Sequence, residues 1–325
     1  MGEFSCRSKQ HGRPALTPDI TVLYIAGHGR SGSTLVGSVL GLADGYVYVG
    51  EARDVWRDGL IANENCGCGQ KFRDCPFWTA VFERAFGGFD TPEAQSAGRR
   101  INRINSWREK LPLLWLAWRF PRGHGASNGY TRPLTKLYTA IRDVSGASVI
   151  VDTSKTMRYG ALVAATPGLD VKLTNLIRDP RGIMFSRLQR ARYRDGSLKP
   201  SASGYRQSHV FRIIGKWMLR NALAARVLRR NGGVRLRYED FVKDQGWYLR
   251  TTLGDEAAKN VVRKLAEGTG RDAVQHQIAG NWVRELKISP SERWRTELPW
   301  FQRSLAGVLS APLRCLYRSQ AFHTR

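Results

Sequence analysis

Residues 20–36 read Ile-Thr-Val-Leu-Tyr-Ile-Ala-Gly-His-Gly-Arg-Ser-Gly-Ser-Thr-Leu-Val, and this order constrains the fold more than any other stretch. The apolar run Ile20–Ala26 predicts a buried strand, and the helix-period run Thr34–Leu42 predicts the helix that follows. Between them, Gly27-His28-Gly29-Arg30-Ser31-Gly32-Ser33-Thr34 fits the nucleotide-triphosphate P-loop pattern except at one defined position, where Ser33 stands in place of lysine. Glycines let backbone N–H groups close around an anion, and a helix N-terminus adds the positive end of its dipole. The missing lysine is the one that reaches β- and γ-phosphates. The loop is therefore suited to a single 5′-phosphate carrying something other than a triphosphate tail.

Charge agrees with an anionic ligand. The 325 residues carry 52 Lys+Arg against 27 Asp+Glu, a formal net charge of +25, and most of the cations are arginine. Such an excess concentrates anions and speeds their encounter. The arginines are spread along the chain, and no zinc-finger or RNA-recognition signature accompanies them, so nucleic acid is not the expected partner. No stretch approaches the ~20 apolar residues of a spanning helix. Met1–Asp19 is polar, basic and broken by Pro14 and Pro18, so it is expected to lack fixed structure rather than to be a signal peptide. A cytoplasmic protein is expected, with one domain over residues 20–325 and residues 52–145 as a variable insertion.

Further strands are expected at Tyr46–Val49, Ser148–Asp152, Val171–Ile177 and Val234–Tyr238. Helices are expected over 93–120, near Leu134–Val144, and at Arg158–Ala165, Pro180–Arg192 and Gln207–Arg230. Residues 52–90 read as irregular. Alternating strands and helices predict an α/β fold: a P-loop-like parallel sheet flanked by helices on both faces, with a helical insertion. Ligands of such sheets bind at the carboxyl ends of the strands, and the polar motifs all fall there.

Four motifs stand out beyond the loop. Asp152-Thr153-Ser154-Lys155 is expected just after a strand. Its carboxylate either holds a metal, orients neighbouring hydroxyls or caps a helix. Arg178-Asp179-Pro180-Arg181 enters a helix bearing Ser186 and Arg187. Arg178 is placed to clamp a phosphate or to form an ion pair. Arg237-Tyr238-Glu239-Asp240 lies at the end of the strand expected at Val234–Tyr238, with Tyr238 suited to pack on a purine or on its neighbours. His276-Gln277-Ile278-Ala279-Gly280-Asn281-Trp282-Val283-Arg284 reads as a loop able to close over a nucleotide. Three of the five cysteines lie in Cys66-Gly67-Cys68-Gly69-Gln70-Lys71-Phe72-Arg73-Asp74-Cys75. A tetrahedral zinc site wants four ligands, commonly in wider pairs, and no histidine lies nearby in sequence. Reduced structural thiols, a disulfide and a metal remain open in that order, and no metal ligands are assigned.

Together these motifs resemble the PAPS-dependent sulfotransferases, which move a sulfuryl group from 3′-phosphoadenosine-5′-phosphosulfate (PAPS) to a hydroxyl or amine. Arg30-Ser-Gly-Ser-Thr34 looks like that family's 5′-phosphosulfate loop, Arg178 with Ser186 like its 3′-phosphate pair, and Arg237-Tyr-Glu-Asp240 like its adenine-side strand end. The Asp-Thr-Ser-Lys run, the Gly-Asn…Arg loop and the cysteine run resemble the carbohydrate and bacterial branches. Trp282 departs from the proline usual after Gly-Asn, and the lysine loop and histidine base of the aryl branch are missing from matching places.

The resemblance implies a donor held by Gly29, Arg30, Ser31, Gly32, Ser33, Thr34, Arg178, Ser186, Tyr238, Asn281 and Arg284. PAP is then the product, and no metal is required. Catalysis is expected from Arg30, from Lys155 on the transferring group, and from Glu51 as base. An ion pair of Glu51 with Arg53 or Arg57 is the structural alternative, and His28 is the second candidate base. The implied acceptor is a carbohydrate, glycolipid or other small molecule, chosen by residues 52–145. The basic, tryptophan-rich stretch 99–120 is expected to be a lid or a peripheral membrane contact.

Overall fold

The computed structural model describes residues 20–103, 128–194, 207–268, 276–279, 286, 288 and 292–318. The expectations for Met1–Asp19, for residues 104–120 and for Asn281 and Arg284 fall outside these.

Five strands form one parallel sheet: β1 (Ile20–Gly27), β2 (Tyr46–Tyr48), β3 (Val149–Lys155), β4 (Leu169–Ile177) and β5 (Val234–Arg237), in the order β2-β3-β1-β4-β5. The alternation of β1 shows why it is central. Ile20, Val22, Tyr24 and Ala26 pack into one core, and Leu23 and Ile25 into another. A strand apolar on both faces needs helices on both sides.

One face is covered by α1 (Ser33–Leu40), which directly follows β1, and by residues from two C-terminal helices given below. The other is covered by α2 (Pro76–Phe86), α3 (Pro92–Asn102), α4 (Asn128–Ser145), α5 (Met157–Ala164) and α7 (Gln207–Asn231). Between α5 and α7 in the chain lies α6 (Pro180–Arg194), entered through Pro180 at its first turn. After β5 come α8 (Tyr238–Lys243), α9 (Gly246–Leu253), α10 (Asp255–Ala266), α11 (Trp294–Glu297) and α12 (Trp300–Arg318). Tyr248 and Leu249 of α9 and Ala258 and Val261 of α10 complete the α1 face.

Three expectations are corrected. Residues 52–90 are ordered: a 3₁₀ turn (Ala52–Val55), a π-helical turn (Trp56–Ile61), a second 3₁₀ turn (Phe72–Asp74) and α2. Packing of Trp56, Phe72, Trp78, Phe82 and Phe86 on one another fixes them, and the contacts that Trp56 and Phe72 make with α2 follow no sequence period. Asp152-Thr-Ser-Lys belongs to β3 itself rather than following it. Tyr238 opens α8 instead of ending β5.

Candidate functional site

The loop after β1 leaves the sheet where the chain turns from the centre toward the β2 edge, the switch point at which α/β proteins take ligands. The Ser31 N–H and Oγ both donate to the His28 carbonyl, at 3.2 and 2.7 Å, closing the turn. Arg30 sits at φ 75° and Gly32 at φ 92°. A Cβ at Gly32 would come within 2.3 Å of the Tyr238 ring, so only glycine fits beneath that tyrosine. Gly29, Arg30, Ser33 and Thr34 complete the loop, and α1 starts at Ser33 with its first amides lacking helical acceptors.

Distant strand ends supply the side chains around it. Arg178, just beyond β4, donates through Nη1 to the Arg30 carbonyl at 3.1 Å, and its guanidinium lies 4.2 Å from the Tyr238 ring centroid. The Arg30 Nε donates to Ser186 Oγ on α6 at 3.0 Å. The expected donor residues Arg30, Ser31, Gly32, Arg178, Ser186 and Tyr238 thus form one connected group. Tyr238 braces the loop and Arg178. Trp217 of α7 donates to the Arg178 carbonyl at 3.0 Å, while Asp179 is engaged by Arg181 at 2.6 Å. Burial raises the Asp179 carboxyl, but Arg181 holds it below the ordinary range.

More cations crowd the loop than the motifs revealed. His28 is buried, and burial together with Arg220, Arg187 and Lys216 lowers it to about 3. These surroundings disfavour a protonated imidazole, which weighs against its role as second candidate base. Burial and the proximity of Arg53, Arg187 and Arg158 also lower Arg220. The buried Arg187 Nε has no hydrogen-bond partner. Positive groups held this close are stabilised by an anion between them. Arg158, Arg187 and Arg220 come from α5, α6 and α7. No sequence spacing links them, so only the fold reveals the cluster.

The second group lies at the β2–β3 end. Glu51 and Lys155 form a nearly sequestered ion pair, their side chains 13 and 11% exposed. Lys155 therefore faces Glu51, where the sequence had set it toward the loop anion. Arg53 lies 3.7 Å from Glu51, whereas Arg57 pairs with Asp58 and Asp54. The Glu51 N–H donates to the Ile278 carbonyl at 2.9 Å, and the Ile278 N–H to the Val49 carbonyl at 3.0 Å. Segment 276–279 is thereby strapped along the strand end. Gly50 has φ 78°, and a Cβ there would meet the Ile278 carbonyl at 2.3 Å.

Asp152 settles one of its readings. It is fully buried and accepts from Tyr138 OH at 2.7 Å, Ser154 Oγ at 2.5 Å, Ser154 N–H at 2.8 Å and Ala52 N–H at 3.3 Å. Ser154 Oγ in turn accepts the Arg53 N–H at 3.0 Å. The carboxylate orients hydroxyls and anchors residues 52–53, with three donors on Oδ1 and the Tyr138 hydroxyl on Oδ2. Burial raises it to about 6.

The cysteine run also departs from expectation. No histidine is near it in sequence, yet the strap brings His276 Nδ1 to 3.3 Å from Cys75 Sγ. No disulfide joins Cys66, Cys68 or Cys75.

No family model and no curated protein matches the chain. Among solved structures it is similar to a sulfotransferase domain from the curacin biosynthetic pathway, at 15% identity over 92% of this chain and 98% of that one, with a TM-score of 0.47. It is also similar to sulfotransferase STF9 from Mycobacterium avium, at 12% identity over 92% of this chain and 77% of that one, with a TM-score of 0.48.

Proposed function

We propose that this chain is a PAPS-dependent sulfotransferase acting on a hydroxyl of a carbohydrate, glycolipid or other small molecule. The observation that carries the reading is the joining of Arg30, Arg178 and Ser186 around a lysine-free phosphate loop. A nucleotide with one 5′-phosphate and a separate phosphate on its ribose fits two such cationic points, and arginine grips phosphates bidentately. Arg158, Arg187 and Arg220 add charge where a donor's anionic end needs it.

In the proposed reaction the acceptor oxygen attacks sulfur in line, and the bond from sulfur to the bridging oxygen of the 5′-phosphate breaks. The products are PAP and a sulfate ester. Glu51 takes the hydroxyl proton and Lys155 neutralises charge on the transferring group; without ligand the two neutralise each other. As in phosphoryl transfer, the protein's work is positioning and electrostatics. A magnesium-dependent kinase is disfavoured by Ser33 in the lysine position of the loop and by Asp152, which is fully buried and already held by four donors.

Thermal-shift screening with PAP, PAPS, ATP and AMP tests the reading. PAP and PAPS are expected to stabilise the chain most, because they alone carry the 3′-phosphate. A response led by ATP, or none to PAP, rejects it.

A further inference from the structure

The aromatic insertion carries a second cluster, separate from the phosphate loop. The Cys66 N–H donates to the Gln70 carbonyl at 2.8 Å and the Gly69 N–H to the Cys66 carbonyl at 2.9 Å, so residues 66–70 form a compact knuckle. Gly69, at φ 92°, makes the turn. The knuckle aims Cys66 and Cys68 at Cys75, the residue that precedes α2. From 201 positions away, His276 closes the fourth side.

The imidazole of His276 is built into its place. Its ring stacks on Phe77 with centroids 4.9 Å apart and planes 13° from parallel. Its carbonyl accepts the Trp78 indole N–H at 2.8 Å, and the next carbonyl, of Gln277, accepts the Gly67 N–H at 2.9 Å. The three Sγ atoms and Nδ1 all lie within 4.8 Å of one another.

We infer that Cys66, Cys68, Cys75 and His276 bind one structural zinc ion. Tetrahedral zinc places thiolate and imidazole ligand atoms about 3.5–3.8 Å apart, given its bond lengths of ~2.3 and ~2.0 Å. Small side-chain rotations bring the four donors to that spacing. Three thiolates and one imidazole are a closed, soft donor set, which selects zinc over magnesium or calcium. A disulfide would use two of the sulfurs and leave the oriented imidazole without purpose. Zinc uses all four.

The consequence is mechanical. The ion fastens the insertion to segment 276–278, and Ile278 of that segment is bonded to Val49 and Glu51. Metal binding thus holds the strap along the Glu51 strand end, and it becomes part of the folding free energy. The inference does not rest on the proposed reaction.

The test uses the full chain, purified without chelators and dialysed into metal-free buffer. Elemental analysis is expected to find about one zinc per chain, and cobalt exchange to give the visible bands of a tetrahedral thiolate site. Cys68→Ser and His276→Ala are each expected to weaken zinc by more than the roughly 10–100-fold typical of losing an outer partner. Cys315→Ser, on α12 and outside the cluster, is expected to keep full stoichiometry. The measurements on unaltered protein need no variant to fold. Zinc below about a tenth of an equivalent with no thiolate spectrum on cobalt addition overturns the inference. So does a Cys66–Cys75 disulfide in the unreduced protein, or unchanged affinity in both ligand variants.

Discussion

The two ends of the candidate site are built by different means. The side proposed to hold the donor is a short loop after β1, whose conformation is set by glycines, by Arg178 from the end of β4 and by the bond of its own Arg30 to Ser186. The side proposed to face the acceptor hangs on an insertion of packed aromatic rings, strapped to a distant segment through Gly50 and Ile278. The first is local and electrostatic; the second is long-range and depends on packing. Damage to the donor side should therefore appear as lost nucleotide affinity, and damage to the acceptor side as lost turnover with the nucleotide still bound.

The largest separation is expected from Glu51→Gln. Removing the base while keeping its shape should lower kcat roughly 10²–10⁴-fold, with PAP affinity, read by calorimetry, unchanged. Near-normal turnover removes Glu51 from the reaction, and a matching fall in PAP affinity breaks the division between the two sides. Gly50→Ala probes the strap without touching a reactive group. Its Cβ would collide with the Ile278 carbonyl, so the strand end must shift. A displacement of about 1 Å costs up to about 10²-fold in rate. The expected signature is that loss of kcat with PAP binding intact.

On the donor side, Arg178→Ala is expected to weaken PAP about 10–100-fold, the worth of one or two hydrogen bonds to a charged group. AMP, which lacks the 3′-phosphate, should lose little. Equal losses for PAP and AMP would place Arg178 at the 5′ end and redraw the donor site.

The same contrast explains what was legible in the sequence. Strand, loop and helix of residues 20–40 follow from periodicity and glycine spacing, because a local loop encodes its own geometry. The parallel sheet followed from strands alternating with helices. Arg178 stood out at the end of a strand, and Ser186 on the helix that follows was paired with it by the resemblance to the sulfotransferase motif. Arg158 and Arg220 were indistinguishable from the many other arginines, and Arg187 stood out only beside Ser186, since the meeting of the three depends on how three helices pack. The ordered turns of residues 52–75 are held by tertiary contacts of Trp56 and Phe72 with α2, and they lack any period of their own. His276 was invisible to a search for nearby ligands, since it is brought by the fold and not by the chain.

The smallest expected effect is a pH dependence in which the two sides oppose each other. His28 on the donor side is held near 3 against an ordinary value of 6.5, so below pH 6.5 the unfolded chain binds a proton that the folded one refuses, and stability falls as pH falls. Asp152 on the acceptor side is raised from 3.8 to about 6, so between those values the folded chain holds the extra proton, and stability rises as pH falls. Each contributes about 1.4 kcal/mol per pH unit, and from about pH 6 to 4 the two slopes nearly cancel. Measured against the unaltered chain by urea denaturation, His28→Gln should gain stability with that slope as pH falls through this window. Asp152→Asn should lose stability with the same slope, and slopes of equal sign in the two variants would show that the buried groups do not titrate as their surroundings require.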